Sequence, residues 1–333
     1  MVNYTNKSIS EQAKAIEENL LSPLTLLEEY LDNIRNQPQS MNIFTEVFHD
    51  TALKQAEDSE KRQKSGLRKS FLDGIPINWK DLFDIEGKAS EGGSLLLSGR
   101  VAKTTADIVI NAQKYGLVSI GKTHLTEFAF SGLGVNPKTA TPPNSTSNLI
   151  APGGSSSGAA VATALNLSSA GIGSDTGGSV RIPAAWNNLV GFKPTHGNLS
   201  LNGVLKLCPS FDIAGPITKT VQDSCYLYDI LKGEQPKNLP EGRISEKKFL
   251  VDRSFLTEDL SPEISQSFEK FLEKIRQSGA TINETRIPEI IESTSLASTI
   301  FPYEAYSSWG EIIEDSPGKM YPPILSRFRG GRN

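Results

Sequence analysis

The chain has 333 residues, of which 37% are hydrophobic and 22% are charged. This composition is typical of a globular protein with a sizeable core, arranged as one large domain or two modest ones. The formal net charge is −4 and charges of one sign form no long run, which disfavours nucleic acid and anionic membranes as partners and favours a small molecule. The two cysteines are too few for a disulfide framework, and the N-terminus has no signal-like apolar stretch, so we expect a cytoplasmic protein.

The N-terminal residues carry two predicted amphipathic helices. They lie within residues 8–36 and are separated at Ser22-Pro23, where a serine cap and a proline in the first turn begin the second helix. A highly charged helical stretch at residues 50–69 is typical of a solvated helix face. We therefore assign residues 1–70 to an N-terminal helical segment that packs on the core.

Residues 74–232 alternate short apolar runs with helical patterns and with segments rich in glycine and serine. The runs at 74–78 and 117–121 predict strands, and their alternation with helices predicts an α/β fold in which helices cover a sheet. We assign residues 71–232 to the core that carries the chemistry.

The C-terminal part repeats the order strand, helix, strand. A strand is predicted at residues 247–252, a helix at 262–278 and a second strand at 280–283, and the two strands are expected to pair in parallel. Residues 233–246 are predicted to form a surface connection. We assign residues 247–333 to a C-terminal α/β portion of the same domain.

Two loops rich in glycine and serine flank one predicted helix, at residues 152–158 and 173–184. Adjacent glycines allow successive backbone N–H groups to point into one concavity, which is the geometry that holds a developing oxyanion. Ser179 directly follows Gly177 and Gly178, so its hydroxyl would lie beside its own oxyanion donors. Ser179 is therefore a candidate nucleophile.

Serine is a poor nucleophile until a neighbouring base takes its proton. The three histidines, His49, His124 and His196, lie in no catalytic motif, and structural or surface roles are favoured for each. A lysine can serve instead if burial or nearby positive dipoles lower its pKa. Lys80 fits this requirement because it follows an apolar run and should lie at the inner end of a strand. Most lysines are solvated, however, and both interpretations of Lys80 stay open at this point.

Two other interpretations of the glycine-rich loops are disfavoured. Residues 154–158 match the G-x-S-x-G nucleophile elbow with Ser156 as nucleophile, but His196 is the one histidine that follows and no acid-bearing strand end is evident. An anion cradle at a helix N-terminus is a second option, but neither a Walker pattern nor a G-x-G-x-x-G motif is present.

Four ordered motifs together resemble the amidase signature family, and they lie at residues 74–81, 153–158, 173–185 and 191–197. The resemblance extends from about residue 8 to 232 and more loosely to the end of the chain. It implies an α/β/α layered fold with a central mixed, largely parallel sheet. It also implies a serine amidohydrolase that cleaves linear carboxamide C–N bonds. No residue cluster in the sequence implies a metal or an organic cofactor.

The same resemblance implies roles for particular residues. Ser179 corresponds to the nucleophile, Ser155 to a bridging serine associated with an unusual cis peptide bond, and Lys80 to the base, with a strongly depressed pKa and an alkaline activity optimum. The backbone N–H groups of the oxyanion hole would belong to Thr176, Gly177, Gly178 and Ser179. The supporting residues would be Asp175, Arg181 and Ser156, with the first two forming a charge-paired scaffold. The acyl pocket would be lined by Phe128, Ser131 and Gly132, although core packing is an equally open interpretation of Phe128.

Three functions stay open at this stage. The first is hydrolysis of a small carboxamide to a carboxylic acid and ammonia or an amine. The second is a non-catalytic remnant or subunit with the same fold. It stays open because family members usually continue for another hundred residues or more, and this chain is therefore expected to be short at its C-terminus. The third is the glutamine-deamidating subunit of a tRNA-dependent amidotransferase. A homodimer or a missing C-terminal partner is the expected protein partner.

Overall fold

The computed structural model describes residues 2–239, 241–255 and 260–332. The helices are α1 (Ile9–Glu17), α2 (Pro23–Asn36), α3 (Ser40–Ile43), α4 (His49–Ser65), α5 (Asp107–Lys114), α6 (Ser157–Ala164), α7 (Arg181–Trp186), α8 (Val221–Lys232), α9 (Pro262–Gln277), α10 (Pro288–Asp315) and α11 (Pro322–Arg329). The strands are β1 (Phe44–Val47), β2 (Pro76–Lys80), β3 (Val118–Thr123), β4 (Ala170–Asp175), β5 (Val190–Gly191), β6 (Ile213–Thr218), β7 (Lys248–Asp252) and β8 (Thr281–Thr285). None of the described helices is both long enough and apolar enough to cross a membrane.

The chain forms two compact units. The first contains residues 2–238 and 302–332, and the second contains residues 239–301. The predicted N-terminal segment and the predicted core both belong to the first unit. The predicted C-terminal portion is divided between the two units, because residues 302–332 group with the core.

The first unit is built around a six-stranded sheet with the order β1-β3-β2-β4-β6-β5. Strand β2 pairs in parallel with β3 and with β4, whereas the other pairings of this sheet are antiparallel. The prediction of an α/β fold with a mixed central sheet is confirmed. The sheet is less parallel than predicted, because β6 runs antiparallel to both β4 and β5.

The central strands are buried along their whole length, since every residue of β2, β3, β4 and β6 is buried. Polar side chains on such strands need internal partners. In β2, Asn78 Nδ2 donates to Ser168 Oγ at 2.7 Å and Trp79 Nε1 donates to Ser119 Oγ at 3.0 Å. The polar residues of this strand are thus part of the packed core.

The two N-terminal helices form where the sequence predicts them. The Ser8 side chain and Glu11 form a capping box at the start of α1, and the Ser22 hydroxyl accepts from the backbone N–H groups of Leu24 and Thr25 at the start of α2. The apolar face of α2 is buried in the main hydrophobic core.

The second unit contains the predicted strand, helix and strand as β7, α9 and β8. The two strands pair in parallel, with Lys248 opposite Thr281 and Asp252 opposite Thr285. The prediction of a parallel pair is therefore confirmed.

Candidate active site

The candidate catalytic residues lie where β2 and β4 end. Because β2 and β4 are parallel neighbours, their carboxyl ends meet at the same edge of the sheet. Lys80 is the last residue of β2 and Asp175 is the last residue of β4. Ser155 lies just before α6, which begins at residue 157.

Lys80 is fully buried and its Nζ has two hydroxyl partners. The Nζ atom donates to Ser155 Oγ at 2.7 Å and to Ser174 Oγ at 2.8 Å. Burial lowers the pKa of Lys80 to about 7, although the nearby charges of Asp175 and Asp212 act to raise it. A substantial fraction of neutral amine is therefore present near neutral pH, as a lysine base requires.

The loop that carries Ser155 is tied to the loop that carries Ser179. The expected cis peptide bond is present between Gly154 and Ser155. The backbone N–H of Ser156 donates to the Ser179 carbonyl at 3.2 Å, and Ser156 Oγ donates to the Ser174 carbonyl at 3.3 Å. Ser156 thus supports the two loops rather than contributing to the contacts of Lys80.

Ser179 follows β4 and is 7% exposed. In the described part of the chain, Ser179 Oγ has no hydrogen-bond partner, so the structure does not include the expected bond between Ser179 and Ser155. Catalytic hydrogen bonds often tighten only when a substrate is bound. The preceding Gly178 has a φ of 127°, which an L side chain rarely adopts.

The four predicted oxyanion donors are not equivalent. The Gly178 N–H donates to Asp175 Oδ1 at 2.7 Å and is therefore already engaged. The N–H groups of Thr176, Gly177 and Ser179 have no acceptor among the residues that the structure describes. These three groups remain as candidate donors to an oxyanion.

Asp175 and Arg181 form the charge-paired scaffold that the resemblance implies. Arg181 Nε and Nη2 each donate to the Asp175 carboxylate at 2.9 Å, and the Val180 N–H adds a third contact at 3.2 Å. Although burial acts to raise the pKa of Asp175, Arg181 and the backbone donors hold it below its usual range. The charged carboxylate shapes the turn on which Ser179 lies.

Two residues of the site were not singled out by the sequence. Ser174 is the second partner of Lys80, and Asp212 Oδ1 accepts from Thr176 Oγ1 at 2.5 Å. Ser174 could have been found from its position in the second glycine-rich loop, next to Asp175. Asp212 lies in no motif and is brought in by β6, which begins at Ile213 and pairs with β4.

The predicted acyl-pocket residues lie in two environments. Phe128 is 2% exposed, and its ring packs against Trp309 and Phe328 with centroid distances of 4.8 and 5.6 Å. This environment favours the core-packing interpretation of Phe128.

Ser131 and Gly132 are partly exposed. The Gly132 carbonyl accepts from Gly154 N–H at 2.7 Å, so this residue lies against the Ser155 loop. A Cβ atom added at Gly132 would lie 3.1 Å from Ile182 Cδ1, which also places Gly132 close to α7.

Among the described residues, none of the three histidine side chains is hydrogen-bonded to Lys80, Ser155 or Ser179. His49 pairs with exposed Asp50, and His196 Nε2 lies 3.1 Å from the Pro209 carbonyl. Burial lowers the pKa of His124 to about 4. Within the described ranges, no group of three His, Cys, Asp or Glu side chains is arranged to hold a metal ion.

Comparisons with known proteins agree with this architecture. Residues 25–328 match the sequence model of the amidase family, and the chain belongs to that family. One solved relative is an amidase that is 31% identical, with a TM-score of 0.90, and the match covers 97% of this chain and 73% of the other. A second is the peptide amidase of Stenotrophomonas maltophilia, at 26% identity and a TM-score of 0.80 over 94% of this chain and 68% of the other.

Curated relatives carry a more specific name, that of a glutamyl-tRNA(Gln) amidotransferase component. The relative from Ruminiclostridium cellulolyticum is 35% identical over 301 residues, which cover 86% of this chain and 62% of the relative. The mitochondrial relative from Canis lupus familiaris is 33% identical over 85% of this chain and 60% of the relative. The chain therefore spans about three fifths of the length of these relatives.

Proposed function

We propose that this chain hydrolyses small carboxamides to a carboxylic acid and ammonia or an amine, through an acyl-enzyme on Ser179. The observation that carries the proposal is the contact between Lys80 Nζ and Ser155 Oγ at 2.7 Å, made by a fully buried lysine whose pKa lies near 7. A buried amine of this kind can accept a proton that a solvated lysine cannot. Membership of the amidase family supports the same reaction class.

The proposed first step forms the acyl-enzyme. Neutral Lys80 accepts the Ser155 proton while Ser155 accepts the Ser179 proton, and Ser179 Oγ bonds to the carboxamide carbon. The oxyanion is held by the N–H groups of Thr176, Gly177 and Ser179. The C–N bond then breaks as the leaving nitrogen receives a proton from Ser155, which is reprotonated by Lys80.

The second step releases the acid. A water molecule gives its proton to the same relay and adds to the acyl carbon, and the bond to Ser179 Oγ breaks as this oxygen recovers a proton. The product is a carboxylic acid, and Ser179 and Lys80 return to their starting protonation states. No redox partner is needed for this balance.

A second candidate function is glutamine deamidation within a complex that transfers the ammonia to a tRNA-linked substrate. The names of the curated relatives favour it. An aromatic acyl pocket would favour a general amide over glutamine, but the Phe128 ring packs on Trp309 and Phe328 and therefore does not support that preference. Under this candidate function, the chain would act with a partner protein.

Fluorophosphonate labelling tests the proposal independently of the amide. We expect the purified chain to label at Ser179, and the Ser179→Ala and Lys80→Ala variants to lose labelling. The matched control is Ser157→Ala, since Ser157 is a fully buried serine two residues from Ser155 and its Oγ has no protein partner. A folded wild-type chain that does not label would favour the non-catalytic remnant.

Ammonia release then separates the two substrate classes. Release from simple aliphatic or aryl amides by the chain alone would support the general amidase. Release from glutamine only, or only after a partner protein is added, would support the amidotransferase component. Size-exclusion chromatography with light scattering tests whether the chain forms the homodimer that the sequence analysis gives as one expected partner.

A further inference from the structure

The segment of residues 126–133, called here the clamp segment, holds the loop that carries Ser155. Thr126 N–H donates to the Ser155 carbonyl at 3.2 Å, and Gly154 N–H donates to the Gly132 carbonyl at 2.7 Å. These two bonds fix the backbone on both sides of the peptide that joins Gly154 to Ser155. The position of the Ser155 hydroxyl therefore depends on the position of the clamp segment.

Within the clamp segment, Glu127 is a fully buried carboxylate with two donors from distant parts of the chain. Its Oε1 accepts from Ser94 Oγ at 2.7 Å, and its Oε2 accepts from the backbone N–H of Tyr321 at 2.8 Å. A buried carboxylate that loses a donor is left with an unsatisfied oxygen, which is costly. Glu127 thus ties the clamp segment to residues 302–332, called here the C-terminal segment.

The C-terminal segment makes further contacts with the clamp segment. Arg327 Nη1 donates to the Phe130 carbonyl at 2.8 Å. The Phe328 ring packs against Phe128 and Phe130 with centroid distances of 5.6 and 5.1 Å. The clamp segment is therefore held between the Ser155 loop on one side and the C-terminal segment on the other.

We propose that Glu127 is a positioning residue for Ser155, because its carboxylate fastens the clamp segment to the C-terminal segment and so fixes the loop that carries Ser155. This inference rests on the proposed function. Glu127 makes no contact with Lys80, Ser155 or Ser179 side chains in the described structure, and it acts through backbone bonds. A displacement of about 1 Å in a catalytic group can cost about 100-fold in rate, so the loss of this tie is expected to lower turnover.

The Tyr321 backbone allows a sharp test. Tyr321 has a φ of −70°, and Met320 before it is extended with a ψ of 156°, so both residues have conformations that a proline at position 321 permits. Tyr321→Pro removes the N–H that donates to Glu127, whereas Tyr321→Ala keeps it. Both variants lose the tyrosine side chain, so the difference between them reports the loss of the tie between the Tyr321 backbone and Glu127, to which the proline ring adds a steric conflict with the carboxylate.

We expect Tyr321→Pro to lower kcat at least tenfold relative to Tyr321→Ala, with KM changed by less than about twofold, and to slow fluorophosphonate labelling of Ser179 by a similar factor. Glu127→Ala should show the same pattern, since it removes both acceptor oxygens. Glu127→Gln should not, because its remaining oxygen can accept from the Tyr321 N–H while its amide nitrogen donates to Ser94 Oγ. Glu314→Ala is the control for Glu127→Ala, because the Glu314 carboxylate bonds to Arg329 and Tyr306 within the C-terminal segment.

Rates are normalised to the folded fraction measured by circular dichroism at the assay temperature. Equal kcat and labelling rates for the proline and alanine variants would overturn the role of Glu127 while leaving the proposed function in place. The role of Glu127 is likewise overturned if the two variants differ in measured rate but not after normalisation to the folded fraction. A wild-type chain that neither labels nor hydrolyses any amide would overturn the proposed function itself.

Discussion

Ser174 Oγ accepts a hydrogen bond from Lys80 Nζ at 2.8 Å, from inside a strand rather than from a loop. Because this bond stabilises the ammonium form, removal of the bond should lower the pKa of Lys80 further from its ordinary value of 10.5. We expect Ser174→Ala to move the rising limb of the kcat/KM profile to lower pH, by about one unit for a charge-assisted bond of about 1.5 kcal/mol.

The control for this prediction is Ser174→Thr, which keeps the hydroxyl. The measurement is the pH dependence of kcat/KM on a primary amide between pH 5 and 10. If the rising part of the pH profile of kcat/KM is unchanged in the alanine variant, Ser174 does not influence the protonation of Lys80.

The burial of Lys80 should also make the free energy of unfolding depend on pH. Its pKa is about 7 in the folded chain and near 10.5 when exposed, so between these values the unfolded state binds more protons than the folded state. Stability should therefore rise with pH across this window, by up to about 1.4 kcal/mol per unit, and be independent of this group below pH 7.

Lys80→Met removes the titration and keeps an unbranched side chain. We expect this variant to be more stable than the wild type at pH 7, and the difference to shrink as the pH approaches 10.5. Urea unfolding at several pH values checks this directly. Parallel stability curves for the two proteins would mean that Lys80 is not buried as a neutral amine.

Local pattern alone reached only part of the candidate site. The adjacent glycines pointed to Ser179 as a nucleophile and the apolar run left Lys80 as an open candidate, whereas the roles of Lys80 and Ser155 were implied by the resemblance to the amidase signature family. The partners that come from elsewhere in the chain were not predicted. Asp212 reaches Thr176 through the antiparallel pairing of β6 with β4, and Tyr321 reaches Glu127 across 194 residues. Such contacts depend on how strands and segments pack, which no local pattern records.

The strand directions in the sheet also depend on contacts that the local sequence does not specify. The apolar runs predicted the strands β2 and β3, but a buried strand reads as a continuous apolar run whether its neighbour is parallel or antiparallel. The direction of β6 therefore could not be predicted from its composition.

The ion pair of Asp175 and Arg181 is asymmetric, since the Asp175 side chain is fully buried and the Arg181 side chain is 52% exposed. Asp175→Asn should be the more damaging change, because it places an amide group against the donors of Gly178 and Arg181. We expect a loss of several kcal/mol in stability, of the size seen when one partner of a buried pair is removed, and a loss of labelling at Ser179.

Arg181→Ala should cost less, because about half of the Arg181 side chain is exposed and three backbone N–H groups still reach Asp175. Chemical unfolding and fluorophosphonate labelling of both variants provide the measurement. A larger effect of the arginine change would contradict the assignment of Asp175 as the organising residue of the turn.

Gly178 is the position at which the candidate oxyanion loop is most constrained. Its φ of 127° is strained for any L side chain, and a Cβ atom there would lie 2.7 Å from Ile182 Cδ1. Gly178→Ala should therefore shift the turn that carries Ser179, with a backbone cost of about 1 to 3 kcal/mol and a fall in kcat of at least tenfold. The control is Gly318→Ala, where a Cβ atom meets nothing within 4 Å. Adding Ile182→Ala to Gly178→Ala removes the clash but not the strained φ, so the double variant should recover part of the stability and little of the kcat, because the turn must still change its backbone conformation.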